Sequence, residues 1–234
     1  MAYKYLYRAV RTGRLRTVRR CIRRQNENKR IYRDIGDSKG RTPLILAARM
    51  GDEVIFKVVA ALKRPPPNPD LQDSQGRTAL IEAARRGYAN MVNILINKLN
   101  ADVDLADNER STPVLWAARK NKWSVAKLLT DNQAAVDGPN NKQEIPLHFA
   151  IRTGNYNYVL EMLNADPGKA SISVTDKMSR TPLHMAAEKG DIQIVRLLLL
   201  NGAFINKVAT DMLGFTPYMS AMNRGYVAVA AMLY

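Results

Sequence analysis

Residues 179–206 read SRTPLHMAAEKGDIQIVRLLLLNGAFIN, and the rest of the chain is variations on this stretch. It holds a complete structural unit. Thr181 is placed to cap a helix, its hydroxyl accepting from an otherwise orphaned amide, and Pro182 follows at the first helical position, where its missing N–H costs nothing. Gly190 supplies a tight turn. Ile192, Ile194, Val195, Leu198 and Leu199 then recur at helical spacing, and Asn201-Gly202 ends the second helix with a residue free to take positive φ. The stretch predicts two short antiparallel helices joined by a turn.

Working outward from Thr181, the equivalent positions are Thr42, Thr78, Thr112, Ile145 and Thr216, with successive spacings of 36, 34, 33, 36 and 35 residues. The motif TPLHxAAxxG, followed by an apolar helix and Asn-Gly-Ala, resembles the ankyrin repeat, whose period is about 33 residues. The resemblance covers nearly the whole chain and implies an all-α, ankyrin-type solenoid of stacked helix-turn-helix repeats with short β-hairpin-like loops. The units are a divergent, arginine-rich first repeat (1–36), repeats at 37–72, 73–106, 107–139, 140–175 and 176–210, and an incomplete terminal repeat at 211–234.

Several units depart from the motif. Pro65, Pro66, Pro67 and Pro69 form a loop that cannot be helical; it reads as a stiff spacer or a proline-motif ligand, the spacer being favoured. Ala79 stands where proline is usual, and Glu82 falls at a position held elsewhere by Leu46, Trp116, Phe149 and Met185. Asn121 replaces a hinge glycine, Gln143 a turn glycine and Ile145 the capping threonine. The last helix, around Val227 to Leu233, offers no polar outer face, so this end is expected to be covered by a partner or by further chain.

The chain has 234 residues, a formal net charge of +15 and a pI of about 10.1. Such a balance favours contact with something acidic. Cys21 is the single cysteine, so no disulfide can form within the chain and a reducing compartment is expected, cytoplasmic or nuclear. No apolar run is long enough to span a bilayer.

Little in the sequence points to catalysis. Phosphate-loop glycines, a nucleophile elbow, zinc spacing and paired carboxylates are all missing, so no enzyme activity, cofactor or metal is expected. His148 and His184 both occupy the fourth position of the motif, where the resemblance implies a structural hydrogen bond to the neighbouring hairpin. Cys21, among arginines but beside Ile22, reads better as buried filler than as a reactive thiolate. Trp116 and Trp123 read as core residues or as exposed anchors, and the residues aligned with them favour the core.

Arginine placement is the informative feature. The resemblance places the two residues between Ala-Ala and Gly on the concave groove, and Arg11, Arg49, Arg85, Arg119 and Arg152 occupy the same register in five successive units, with Arg86 and Lys120 beside them. Residues 1–36 hold 12 Lys and Arg against 2 Asp and Glu, a net of +10, and ten of the twelve are arginine. Arg14, Arg16, Arg19, Arg20, Arg23 and Arg24 are concentrated on its second helix. The rigid guanidinium fork suits bidentate capture of carboxylate or phosphate. The leading expectation is a non-enzymatic adaptor that docks acidic protein surfaces through the groove and the N-terminal unit. The alternatives are an RNA- or DNA-bound component of a ribonucleoprotein, with Tyr3, Tyr5, Tyr7 and Tyr32 as stacking surfaces, and the regulatory segment of a longer enzyme or channel.

Overall fold

The computed structural model describes residues 4–27, 36–62, 66–165 and 170–234. Tyr3, Tyr32 and Pro65 lie outside them, as do the side chains of Tyr5 and Arg24. The fold is all-α. Among the described residues no strand occurs, and the hairpin-like loops are turns.

Two compact units are present, Met1–Asn132 and Gln133–Tyr234. The first contains α1 (Lys4–Arg11), α2 (Leu15–Glu27), α3 (Pro43–Met50), α4 (Glu53–Ala60), α5 (Ala79–Arg86), α6 (Ala89–Leu99), α7 (Pro113–Arg119) and α8 (Trp123–Asp131). The odd-numbered helices pack on one another in sequence order, as do the even-numbered ones, and each odd helix packs on the even helix that follows it. The second unit repeats the arrangement with α9 (Pro146–Thr153), α10 (Tyr156–Asn164), α11 (Pro182–Lys189), α12 (Ile192–Leu200), α13 (Pro217–Asn223) and α14 (Val227–Leu233), plus 3-10 turns at Ala170–Ser173 and Ala203–Val208.

Local chemistry explains the repeated hairpin. The hydroxyls of Thr42, Thr78, Thr112, Thr181 and Thr216 each accept from the backbone amide three residues on, fixing the start of every odd helix from α3 onward except α9. At α9, where Ile145 has no hydroxyl, the Nδ1 of His148 accepts from the Ile145 amide instead, at 3.3 Å. Gly51, Gly87, Gly154 and Gly190 take positive φ after α3, α5, α9 and α11. Asn121 adopts φ 55° at the same point after α7, the left-handed geometry that asparagine tolerates.

A second periodic device precedes each odd helix from α3 onward. Oδ1 of Asp37, Asp73, Asp107, Asn140, Asp176 and Asp211 accepts from the amides two and four residues ahead, closing the loop before the helix. The loop demands a left-handed residue three positions after the Asx. Glycine supplies it in three loops, and Arg110, Gln143 and Ser179 are held there with φ 58°. Five of the chain's carboxylates are thereby engaged inside loops. In the proline-rich loop, Pro67 and Pro69 are buried, as a packed spacer requires.

Both histidines join neighbouring repeats. Nδ1 of His184 accepts from the Thr181 amide at 3.2 Å, and its Nε2 donates to the carbonyl of Phe215 at 2.9 Å; His148 does the same with Ile145 and Val174, the latter at 3.0 Å. One nitrogen must accept and the other donate, so the rings are neutral. Burial pushes both pKa values below the ordinary 6.5, outweighing the carbonyl bonds that favour the cation.

Candidate acidic-partner interface

The arginines at the expected groove positions converge in the third layer of the first unit. Glu82, completely buried on α5, sits where four other repeats place Leu46, Trp116, Phe149 and Met185. A lone carboxylate there would be costly, and three guanidinium groups offset that cost. Arg85 approaches it at 3.1 Å, Arg77 at 3.3 Å and Arg86 at 3.6 Å. Arg77 also reaches Asp73 at 3.5 Å and hydrogen-bonds Gln75.

Trp116 occupies the same slot one repeat on, and here the core expectation is corrected. Trp123 is buried, but Trp116 is only partly buried, beneath cations that are themselves partly solvated. Arg85 lies 5.2 Å, Arg119 5.0 Å and Lys120 5.9 Å from its ring centroid. The indole Nε1–H donates to Asp107 Oδ2 at 2.8 Å, which fixes the ring's tilt. Arg119 also lies 3.7 Å from Glu109.

The other arginines of this sequence register have different surroundings. Arg49, near the end of α3, is half-buried, and Arg11, the last residue of α1, is exposed. In the second unit Arg152 covers the Phe149 ring at 4.9 Å and pairs with Glu144 at 3.3 Å. The register position on α11 is the anion Glu188, which bridges Arg180 and Arg224. Arg41, Arg77 and Arg180, at the loop turns, are tied to Asp37, Asp73 and Asp176 of their own loops.

On α2 the arrangement is the reverse. Val18 is fully buried and Leu15 and Ile22 partly so, which turns Arg16, Arg19, Arg20 and Arg23 outward, with Arg14 just before the helix. Among the described residues no carboxylate pairs with any of these five. Cys21 is half-buried rather than enclosed. Tyr7 is not a stacking surface: it is buried, and its hydroxyl donates to Asp37 at 2.7 Å and accepts from Arg41. Burial would raise the Asp37 pKa, but hydrogen bonds from Arg41, Tyr7 and two backbone amides hold it well below the ordinary 3.8. This cluster fastens the first repeat to the second.

The ankyrin-repeat pattern "Ankyrin repeats (3 copies)" matches residues 6–107, 99–176 and 168–234. The chain belongs to the ankyrin-repeat family. Mouse Rabankyrin-5 is 32% identical over 170 residues, covering 72% of this chain but 14% of that protein. The human transient receptor potential cation channel subfamily A member 1 is 32% identical over 121 residues, 51% of this chain and 10% of the channel. The crystal structure of the ankyrin repeat domain of Bcl-3 superposes with a TM-score of 0.77 over 97% of both chains at 21% identity, a likeness of fold alone. Ankyrin repeats mediate contacts between proteins, and in these relatives they are parts of much longer chains. No helix among the described residues is long and apolar enough to cross a membrane.

Sequence reasoning missed two features. The Glu82 cluster was signalled by an acid at a register position that four other repeats fill with apolar side chains, and the Asx loops by an Asp or Asn five residues before each capping position.

Proposed function

We propose that this ankyrin-repeat chain is a non-enzymatic adaptor that docks acidic protein surfaces, with the outward arginines of α2 as its primary contact and the groove cations as a secondary one. The supporting observation is the contrast in pairing: Arg14, Arg16, Arg19, Arg20 and Arg23 are exposed without a carboxylate among the described residues, while Arg85, Arg86, Arg119 and Arg152 each have one. An unpaired, already solvated guanidinium gains most from an incoming anion. The reading places the chain in the cytoplasm or nucleus, as part of a larger assembly.

The likeness to segments of longer proteins, one of them a channel, favours a second form of the same reading, in which these repeats are the docking segment of a larger polypeptide. Met219 and Met222 are each 46% exposed at register positions where Ile45 and Ala48 of the first unit are buried, which supports reading the α13 face as a surface that a partner covers.

Fluorescence anisotropy with labelled polyglutamate and with a single-stranded RNA, each across a salt series, tests the proposal. Polyglutamate should bind more tightly, and reversing Arg16, Arg19, Arg20 and Arg23 to Glu should weaken binding on the order of a hundredfold. Tighter RNA binding with a steep salt slope would move the assignment to the ribonucleoprotein alternative.

A further inference from the structure

We infer that the groove around Trp116 is a receptor for the carboxylates of an extended acidic peptide, with Arg85 and Arg119 as its donors; this rests on the protein-docking reading above and names where the partner is held. The register position of Trp116 is an enclosed apolar slot in three other repeats, where Leu46, Phe149 and Met185 are at most 8% exposed. Trp116 alone among these aromatic and aliphatic occupants is not fully enclosed, with guanidinium groups from two successive repeats drawn onto it.

The geometry is pre-organised. Asp107 holds the indole by its Nε1–H, Glu82 holds Arg85 from beneath, and Glu109 lies beside Arg119. Stacking engages the face of a guanidinium and leaves its in-plane N–H edges for bidentate capture. Arg85 Nε and Arg119 Nη1 are buried, but the two side chains keep 22% and 29% of their surface exposed, and it is these exposed edges that an incoming carboxylate meets. Tryptophan and arginine are also the residues on which binding energy concentrates in protein interfaces.

Local charge selects the ligand class. Arg77, Arg85, Arg86, Arg119 and Lys120 face Asp73, Glu82, Asp107 and Glu109, so five cations stand over four carboxylates and the patch is close to neutral. A phosphate backbone needs a run of uncompensated cations. A site with an apolar platform and small net positive charge suits one or two carboxylates on a peptide that also supplies apolar contact. In this arrangement the α2 arginines set the encounter rate and the Trp116 site sets the residence time.

The test is stopped-flow and equilibrium anisotropy on the full chain with a fluorescein-labelled ten-residue peptide of alternating Glu and Gly. Trp116→Ala should weaken binding by about thirtyfold through faster dissociation, and Trp116→Phe should recover most of it. Thermal unfolding of the Phe variant should match that of the parent, keeping the comparison informative if the Ala variant is unstable. Unchanged affinity in Trp116→Ala, with loss only on reversal of the four α2 arginines, overturns the Trp116 receptor and leaves the docking reading intact. Absence of peptide binding by the parent chain, with or without binding to a ten-residue oligodeoxythymidine, overturns the receptor; oligodeoxythymidine binding alone overturns the protein-docking reading as well.

Discussion

The arginines of α2 and those of α5 and α7 have the same chemistry and opposite circumstances. On α2, Arg16, Arg19, Arg20 and Arg23 sit at i, i+3, i+4 and i+7 around a helix whose apolar edge is only Leu15, Val18 and Ile22, so the guanidinium groups remain in water. On α5 and α7, Arg85, Arg86 and Arg119 are drawn onto Glu82, Glu109 and the Trp116 ring. The contrast teaches that net charge is a poor guide to where a basic protein is available to an anion. Carboxylates beside α5 and α7 partly offset one set of arginines, whereas among the described residues the other set has none.

The strongest way to break this comparison is to reverse Arg16, Arg19, Arg20 and Arg23 together to Glu. Affinity for polyglutamate should fall on the order of a hundredfold, since like charges then meet across the contact. The thermal midpoint should hardly move, because none of the four is buried; equal loss on reversing Arg49, Arg85 and Arg119 instead would erase the distinction.

Glu82→Ala probes the other side. It strands Arg77, Arg85 and Arg86 without their shared anion and should cost about 2 kcal/mol in urea unfolding, less than a fully enclosed pair would because Arg85 and Arg86 can turn toward solvent. Glu82→Leu, which restores the apolar residue found at Leu46, should recover much of that loss.

Acid should separate the regions in a different way. His148 and His184 are the chain's two histidines and both lie in the unit Gln133–Tyr234. Their folded pKa values are depressed, so below the ordinary 6.5 the unfolded chain binds protons that the folded chain does not, and stability falls as pH falls from there. Hydrogen exchange between pH 7.5 and 5.5 should show faster opening at the amides of α9 and α11 than at those of α3 and α5. Asp37 and Asp176 are also depressed, but from 3.8; for Asp176 burial opposes the shift and Arg180 and backbone amides overcome it. Their contribution is intact above 3.8 and is lost only at lower pH, which gives a second, more acid step.

The smallest effect is expected for Arg19→Ala alone. An exposed arginine with no carboxylate partner among the described residues should change stability by less than about 0.5 kcal/mol, and a larger change by calorimetry would show that α2 uses its arginines structurally after all.

Much of the hairpin was legible because its determinants act within a few residues. A threonine reaches the amide three positions ahead, a glycine relieves positive φ at its own α-carbon, and both leave their mark at a fixed spacing. Asn121 could be read as a left-handed hinge for the same reason, and the histidines could be placed from the family resemblance. Arg110 and Ser179 could not be read as left-handed, because no intrinsic preference puts them there; the Asx loop around them imposes it.

The sequence by itself determined the fold of the repeat, its register and the excess of positive charge, since these rest on local hydrogen bonding and on composition. Only the tertiary structure decided which charges stay available. Arg85 meets the ring of Trp116, 31 residues away, because α5 packs on α7. Whether a guanidinium ends in water, on a carboxylate or on an indole depends on what the next layer places within a few ångströms, and side-chain reach across layers has no signature in the spacing of residues along the chain.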